Sequence, residues 1–583
     1  MQVLSYDHLL PRVTKPARYT DGEWNAVHKD AASVRACFAL VYPDVYEVGM
    51  SHLGLHILYH VLNSHQDYAA ERAYAPWPDM ADELRRSGLP LASLESRRPL
   101  RDFDVVGITL PYELTYTNVL GILDLAGIPV RAADRGPDAP LVIGGGPGAV
   151  NPEPMADFFD AILIGEGEEA ILEIAEAVGS RSREAALDAL ARIPGVYVPS
   201  RYDVEFAGPG PRSRVTPRGE APRRISRRVV SDLDRAPFPT RQIVPFLETV
   251  HSRATLEIMR GCSRGCRFCQ AGGVYGPRRE RSLETLLQQA DEVIRATGYD
   301  EISLLAFTSP DHSQIEELVS QLVARFGRRG IGVALPSLRA DTFSVSLANK
   351  IQEVRKTGLT FAPEAGSQRL RDVIRKQVSE NDLFAAAEAA FSSGWTRLKL
   401  YFMIGLPTET DEDVEAIGDL VERLAAFARG VLGPRRGRLQ IGVSIAGFVP
   451  KPHTPFQWEP QDEVETLQRK QRILQQRLRD RAVKLSWTDA RVSALEAAIS
   501  RGDRRVGQVI ARAFRLGCRF DSWGEYFRFD LWQQAFAEAG IDLREYANAR
   551  LGFDEPLAWD HVDCGDKSSL WREAERALAG AGE

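Results

Sequence analysis

The sequence predicts an α/β protein: a doubly wound domain, then a β/α barrel or barrel fragment, then a helical C-terminal region. Three observations carry this. Short continuous apolar runs alternate with helical patterns between residues 35 and 200, the mark of a parallel sheet covered on both faces. Strand-like runs recur between 248 and 460 at about 30 to 50 residues per repeat, the spacing of a β/α barrel. Beyond 460 no strand pattern is read. The expected divisions are a lead-in over 1–34, the doubly wound domain over 35–207, a linker over 208–247, the barrel core over 248–460 and the helical domain over 461–583.

With 583 residues, 44% apolar and 26% charged, the composition is ordinary for globular protein, and the length suits roughly three to four domains. Six cysteines are too few for a disulfide framework and point to a reducing compartment. Met1 to Asp7 is too polar to open a secretion signal. The most apolar long stretch, 105–130, is interrupted by Pro111, Glu113 and Asp124, so no membrane span is expected. The expected location is the cytoplasm. A net charge of −7 argues against blanket nucleic-acid binding.

In the first domain, apolar strands are expected at 35–41, 104–109, 140–144 and 161–165, with helices at 53–62, 80–87, 116–126 and 168–178. The ligand crevice of such a sheet lies off the C-terminal strand ends. Glycines gather there, in Gly144-Gly145-Gly146-Pro147-Gly148 and Gly165-Glu166-Gly167-Glu168, where a chain turns tightly or approaches a ligand closely. His52, His56 and His60 recur every fourth residue, which reads as a helix flank with partly buried imidazoles rather than a metal face. Residues 208–228 are rich in Pro, Gly and Arg and read as an exposed connection.

Asp44-x-Tyr46-x-x-Gly49, leaving the first strand, resembles the Asp-x-His-x-x-Gly loop of cobalamin-binding domains, with tyrosine in the histidine's place. Gly144, Gly145, Gly165 and Glu166 lie on strand ends similar to those that hold the nucleotide tail in that family. The resemblance implies a Rossmann-like domain of cobalamin-binding type. A cobalamin bound here lacks the lower histidine ligand, and the same fold without cobalamin is the equal alternative.

The barrel strands are expected at 255–259, 302–307, 332–335, 359–361, 397–404 and 439–446. Chemistry in barrels gathers at the C-terminal strand ends. The first strand delivers Cys262-x3-Cys266-x2-Cys269, three of the six cysteines within eight positions. Thiolates so spaced wrap one metal centre from a single loop, and soft sulfur selects iron–sulfur clusters, zinc or copper(I). Three ligands leave one position open, as catalytic centres do. Later strand ends carry Thr308 and Ser309, Arg339, Glu364, Gly405-Leu406-Pro407 and Lys451 to Pro455.

This cysteine loop is similar to the signature of the radical S-adenosylmethionine superfamily. The resemblance implies a partial (β/α)6 TIM-like barrel and a 4Fe-4S cluster on Cys262, Cys266 and Cys269. It also implies S-adenosylmethionine on the open iron and a 5′-deoxyadenosyl radical as the reactive species. Phe268 matches the aromatic beside the adenine, and Glu364 a polar residue near the ribose or methionine. Thr308, Ser309 and Arg339 stand where methionine contacts fall. Gly405, Leu406 and Pro407 resemble the fifth-strand signature that borders the adenine. An electron donor such as flavodoxin or ferredoxin is implied. With cobalamin the reaction is methyl transfer or a rearrangement on an unidentified substrate. The alternatives are methylthio transfer to RNA, which needs a second cysteine triplet this chain lacks, and a zinc- or RNA-binding protein without catalysis.

The C-terminal region opens with a basic helix at 462–484. Its interspersed acids favour packing on the barrel over RNA binding. As an alternative role for this region, the Trp-, Asp- and Arg-bearing turns at Asp503 to Arg505, Trp523 and Trp559 to Asp563 line the substrate chamber.

Overall fold

The computed structural model describes residues 4–179, 182–335, 339–342 and 359–579. The chain divides into two compact units: Met1–Ser252 with Ala498–Tyr546 and Asp554–Cys564, and Arg253–Ala497 with Ala547–Phe553 and Gly565–Glu583. The region beyond 460 is therefore shared between the two units instead of forming a third.

The first unit is built on strands β1 (Ala36–Tyr42), β2 (Tyr68–Tyr74), β3 (Val105–Thr109), β4 (Leu141–Gly145), β5 (Ala161–Leu163) and β6 (Val196–Tyr197). They lie in the order β2-β1-β3-β4-β5-β6, all parallel except β6. Every residue of β1 is buried, which is why it reads as an unbroken apolar run. The order reverses between β1 and β3, and such a switch point opens a crevice at the C-terminal strand ends.

Strand β2 was not expected, because Glu71 and Arg72 interrupt its apolar pattern. Arg72 is fully buried, with its guanidinium 2.6 Å from Glu95 and 2.9 Å from Glu23. A buried cation needs such paired, hydrogen-bonded acids, and these come from far along the chain. The expected linker also proves structured. It supplies β8 (Ser213–Pro217), which pairs with β7 (Tyr202–Phe206) just before it, and then β9 (Ile225–Ser226).

In the second unit, the base of the first loop is a short antiparallel pair. Strand β10 (Ala254–Glu257) is followed by β11 (Met259–Arg260), which pairs with β12 (Arg279–Glu280). Parallel strands then form two sheets. One is β10 with β13 (Glu301–Leu305) and β14 (Gly332–Ala334). The other is β15 (Leu359–Glu364), β16 (Arg397–Ile404), β17 (Gln440–Gly447) and β18 (Val483–Trp487). Helices Leu283–Thr297, Ile315–Phe326, Glu380–Ser392 and Asp411–Leu432 separate them. This is a partial TIM-like barrel with seven strands among the described residues, one more than expected.

The seventh, β18, lies inside the region read as wholly helical. It is short and half exposed, Val-Lys-Leu-Ser-Trp, so only its partner β17 reveals it. The basic helix before it, Val464–Arg477, packs on Asp411–Leu432 through Arg469–Asp411 at 2.6 Å and Arg477–Asp419. Finally, β19 (Val562–Asp563) pairs with β9 in the first unit. Trp559 and His561 are buried there, His561 beside Tyr197 and Glu153, rather than lining a chamber.

Candidate active site

The cysteine loop starts at the end of β11 and is held from both sides. Glu257 takes two bonds of 2.9 Å from Arg260. Gly261 has φ of +84°, and a Cβ added there would stand 2.5 Å from the Pro277 carbonyl oxygen. Only glycine lets the chain leave β11 this way. Arg264, between the first two cysteines, reaches Asp311 at 2.8 Å and Asp341 at 3.3 Å, and Asp341 takes a 2.9 Å bond from Arg339. Arg267 donates to the Val373 carbonyl at 2.7 Å. Asp311 and Asp341, from two different strand ends, thus clamp the loop. Sequence reading missed this role, because partners this far apart leave no local pattern.

None of the three cysteines is in a disulfide. Burial pushes the Cys266 thiol up and that of Cys269 to about 11, although Cys269 keeps exposed surface, and the neighbouring thiols add to both shifts. A coordinating thiol is deprotonated outright. Three free soft sulfurs on one clamped loop are the donor set of an iron–sulfur cluster, and the residues fit it. Among the described residues no three His, Cys, Asp or Glu side chains form a single-ion site. The cysteines of a four-iron cluster each take a different iron.

Around the cysteines, Glu364 at the end of β15 pairs with Lys376 at 3.0 Å, and both side chains act electrostatically on Cys266. Phe268 and Met403 pack on one apolar cluster that includes Leu406, Ala365, Phe448 and Phe456. The cysteine loop and the fifth strand end therefore share a surface. Gly405 has φ of +79° and donates its N–H to Glu409 at 2.7 Å. Leu406 and Pro407 complete that turn and are buried. Burial pushes the Glu409 carboxyl up to about 7, against the pull of Lys470 at 2.7 Å.

Two expected S-adenosylmethionine contacts, Ser309 and Arg339, have other partners, while the buried Thr308 hydroxyl has none among the described residues. The fully buried Ser309 hydroxyl donates to the Leu304 carbonyl at 3.0 Å. Thr308 is buried beside it. Arg339 spends its guanidinium on Asp341 and on the carbonyls of Lys376 and Gln377. Pro336 to Leu338, expected at the third strand end, lie outside the described residues.

In the first unit the expected cobalamin loop is closed. Tyr46 is 1% exposed and its hydroxyl donates to Glu23 at 2.9 Å. A Cβ on Gly144 would meet the Phe159 ring at 3.1 Å, one on Gly145 the Leu163 carbonyl at 3.7 Å, and one on Gly165 the Arg228 backbone at 2.4 Å. Glu166 accepts the Val230 N–H at 2.5 Å. At the β1–β3 switch point, Asn118 bridges the Pro43 carbonyl (2.9 Å) and the Phe520 N–H (2.7 Å), while Trp523 donates to Asp44 at 3.0 Å. Phe520, Trp523 and Tyr526 surround Trp77 with centroids 5.0–5.1 Å away. Of the residues named for cobalamin, Gly144, Gly165 and Glu166 pack closely on the unit's own atoms, Gly145 is in ordinary contact, and Tyr46 is bonded to Glu23. In the histidine stripe, His56 bonds the Met50 carbonyl, His52 caps its helix, and burial depresses both to about 4.

Comparison with known proteins agrees with the cysteine rim. Residues 256–421 match the radical SAM superfamily, and residues 54–199 match the family described as radical SAM proteins, N-terminal. The chain belongs to the radical SAM superfamily and is an enzyme of that class, which uses a 4Fe-4S cluster and S-adenosylmethionine and needs a reductant. It is 28% identical over 475 residues to an uncharacterised protein of Methanocaldococcus jannaschii, covering 81% of this chain and 90% of that one. It is 24% identical over 207 residues to a tRNA-2-methylthio-N(6)-dimethylallyladenosine synthase of Thermotoga petrophila, covering 33% of this chain and 46% of that one. Among solved structures, a radical S-adenosylmethionine methyltransferase from Kitasatospora setae, with cobalamin and a 4Fe-4S cluster bound, is 16% identical. The match has a TM-score of 0.47 and covers 73% of this chain and 74% of that one. No helix among the described residues is long and apolar enough to cross a membrane.

Proposed function

We propose that this chain generates a 5′-deoxyadenosyl radical at the rim of its partial barrel and uses it to take hydrogen from a substrate bound within. One observation carries this reading: the clamped cysteine loop, Glu364 and the Gly405–Glu409 turn share a rim above the open face of β16 to β18. Cys262, Cys266 and Cys269 would hold a 4Fe-4S cluster, which when bound and reduced would supply the electron for cleavage of S-adenosylmethionine to methionine and the 5′-deoxyadenosyl radical. Phe268, Met403 and Leu406 offer the adenine an apolar surface, bordered by the backbone of Gly405 and Pro407. Glu364 and Lys376 supply the polar end. Arg264, Asp311, Asp341 and Arg339 keep the loop in register, the work of residues behind the ligands. Flavodoxin or ferredoxin is the proposed donor, in the cytoplasm.

Methylthio transfer to RNA is the weaker reading. Residues 35–207 hold one cysteine, Cys37, which is buried, so a second cluster has no thiolates there. Anaerobic reconstitution tests the main reading: a 4Fe-4S spectrum and reductant-dependent 5′-deoxyadenosine support it, and a colourless, zinc-loaded protein sinks it.

A further inference from the structure

Below the rim, one face of β15 to β18 is covered and apolar, with Leu398, Leu400, Phe402, Ile441, Val443 and Ile445 buried. Among the described residues the opposite face is exposed or half-buried, with Arg397, Lys399, Tyr401, Gln440, Lys484 and Ser486 exposed. Parallel register sets its rows: Arg397 beside Gln440; then Thr360, Lys399, Gly442 and Lys484; then Tyr401, Ser444 and Ser486; then Met403 beside Ala446. Met403 is the top of this ladder, and it packs on the same cluster as Phe268 of the cysteine loop. The open face therefore runs directly down from the radical's rim.

Its charge is one-sided. Arg397, Lys399 and Lys484 are exposed, and among the described residues no carboxylate pairs with any of them. Lys399 donates instead to the Tyr401 hydroxyl at 2.7 Å. The acid at the end of the neighbouring strand β15, Glu364, is paired with Lys376. Gly442 leaves room between the two lysines, and a Cβ there would come within 3.6 Å of the Lys399 side chain. Two cations flanking a side-chain-free strand position, with hydroxyls one row above, are the chemistry that recognises a phosphate or carboxylate.

We infer that the barrel binds an anionic substrate, a phosphate ester or a polycarboxylate, with its charged group seated between Lys399 and Lys484. Lys399 stands four residue steps below Met403, about 13 Å along the strand. The Lys399 ammonium leans one row up the strand, 4.6 Å from the Tyr401 ring centroid, so the anchored charge sits below the rim and the substrate spans the distance between them. This rests on the radical reading for the fate of the bound molecule, but the anion site stands or falls by itself.

The test is acetylation footprinting of the full chain by mass spectrometry. It is run in inorganic pyrophosphate, in citrate and in sodium chloride at matched ionic strength, with Lys15, exposed and paired with Glu47, as the reference. The expected result is slower acetylation of Lys399 and Lys484 in a polyanion than in chloride, with Lys15 unmoved. Protection by pyrophosphate alone assigns a phosphate, by citrate alone a carboxylate. In calorimetry, the K399Q/K484Q variant should bind the protecting anion about tenfold more weakly, and K399R/K484R should retain most of the affinity. Equal rates in all three salts, or equal protection at Lys15, overturns the site. Formation of 5′-deoxyadenosine by the wild-type cluster-loaded enzyme is scored separately. Protection without it sinks the radical reading alone, and its presence without protection sinks this inference alone.

Discussion

The two units meet the same design problem with opposite outcomes. Each is a parallel sheet whose C-terminal strand ends carry glycine, proline and aromatic residues, the place where such sheets bind ligands. In the first unit those ends are sealed by the unit's own chain: Phe520 to Tyr526 over the β1–β3 switch point, and Arg228 to Val230 against Gly165 and Glu166. In the second, the ends are clamped around three free thiols and the sheet face beneath stays open. Glycine at a strand end thus marks close approach, but what approaches is decided elsewhere in the chain.

The largest expected effect breaks the open rim. Cys266→Ala should abolish the cluster's visible absorbance after anaerobic reconstitution, and with it 5′-deoxyadenosine formation. Retention of both would remove the loop from the mechanism. Next comes the clamp. Asp311→Asn leaves every thiol in place but weakens the hold on Arg264, and about tenfold faster loss of iron to a chelator is expected, as for other residues behind metal ligands. An unchanged rate would make Asp311 a bystander.

On the closed side, Asp521 takes bonds from the Thr117 hydroxyl (2.6 Å) and the Trp532 indole (2.8 Å). Asp521→Ala should destabilise the first unit by about 2–4 kcal/mol, read from urea unfolding by tryptophan fluorescence. Hydroxocobalamin added to the wild-type protein should separate from it on gel filtration, and stoichiometric retention would show that the Phe520–Tyr526 segment yields.

The smallest effect concerns the Gly405–Glu409 turn. Burial raises the folded-state Glu409 carboxyl from the ordinary 4.5 to about 7. The folded chain keeps this proton where the unfolded chain has lost it, so stability from this group is full below about 4.5 and is lost as pH rises to about 7. Glu409→Gln should flatten that part of the melting temperature's pH profile between 5 and 7. An unaltered slope would mean the carboxylate is ionised throughout.

Much of the fold was legible because buried parallel strands leave continuous apolar runs. The β1, β3, β4 and β16 segments were read nearly to the residue on that basis. β2 and β18 were not. The first hides a buried arginine whose partners, Glu23 and Glu95, stand 49 and 23 residues away, and the second is too short and too polar to show a period. In the site, Cys262, Cys266 and Cys269 were legible because all three lie on one loop. Gly405 to Pro407 and Phe268 were legible through resemblance. The assignments of Ser309 and Arg339 could not be checked from spacing, since their partners are a backbone carbonyl and an aspartate across the rim.

The sequence by itself determined the cysteine loop and the class of chemistry, because a metal-binding triplet is local and its residue types are its function. It also determined that two parallel sheets would form. Only the tertiary structure decided which strand ends stay open. That outcome depends on residues hundreds of positions apart, Asp44 with Trp523 and Asn118 with Phe520, and on a row of cations, Lys399 and Lys484, that only strand pairing brings side by side.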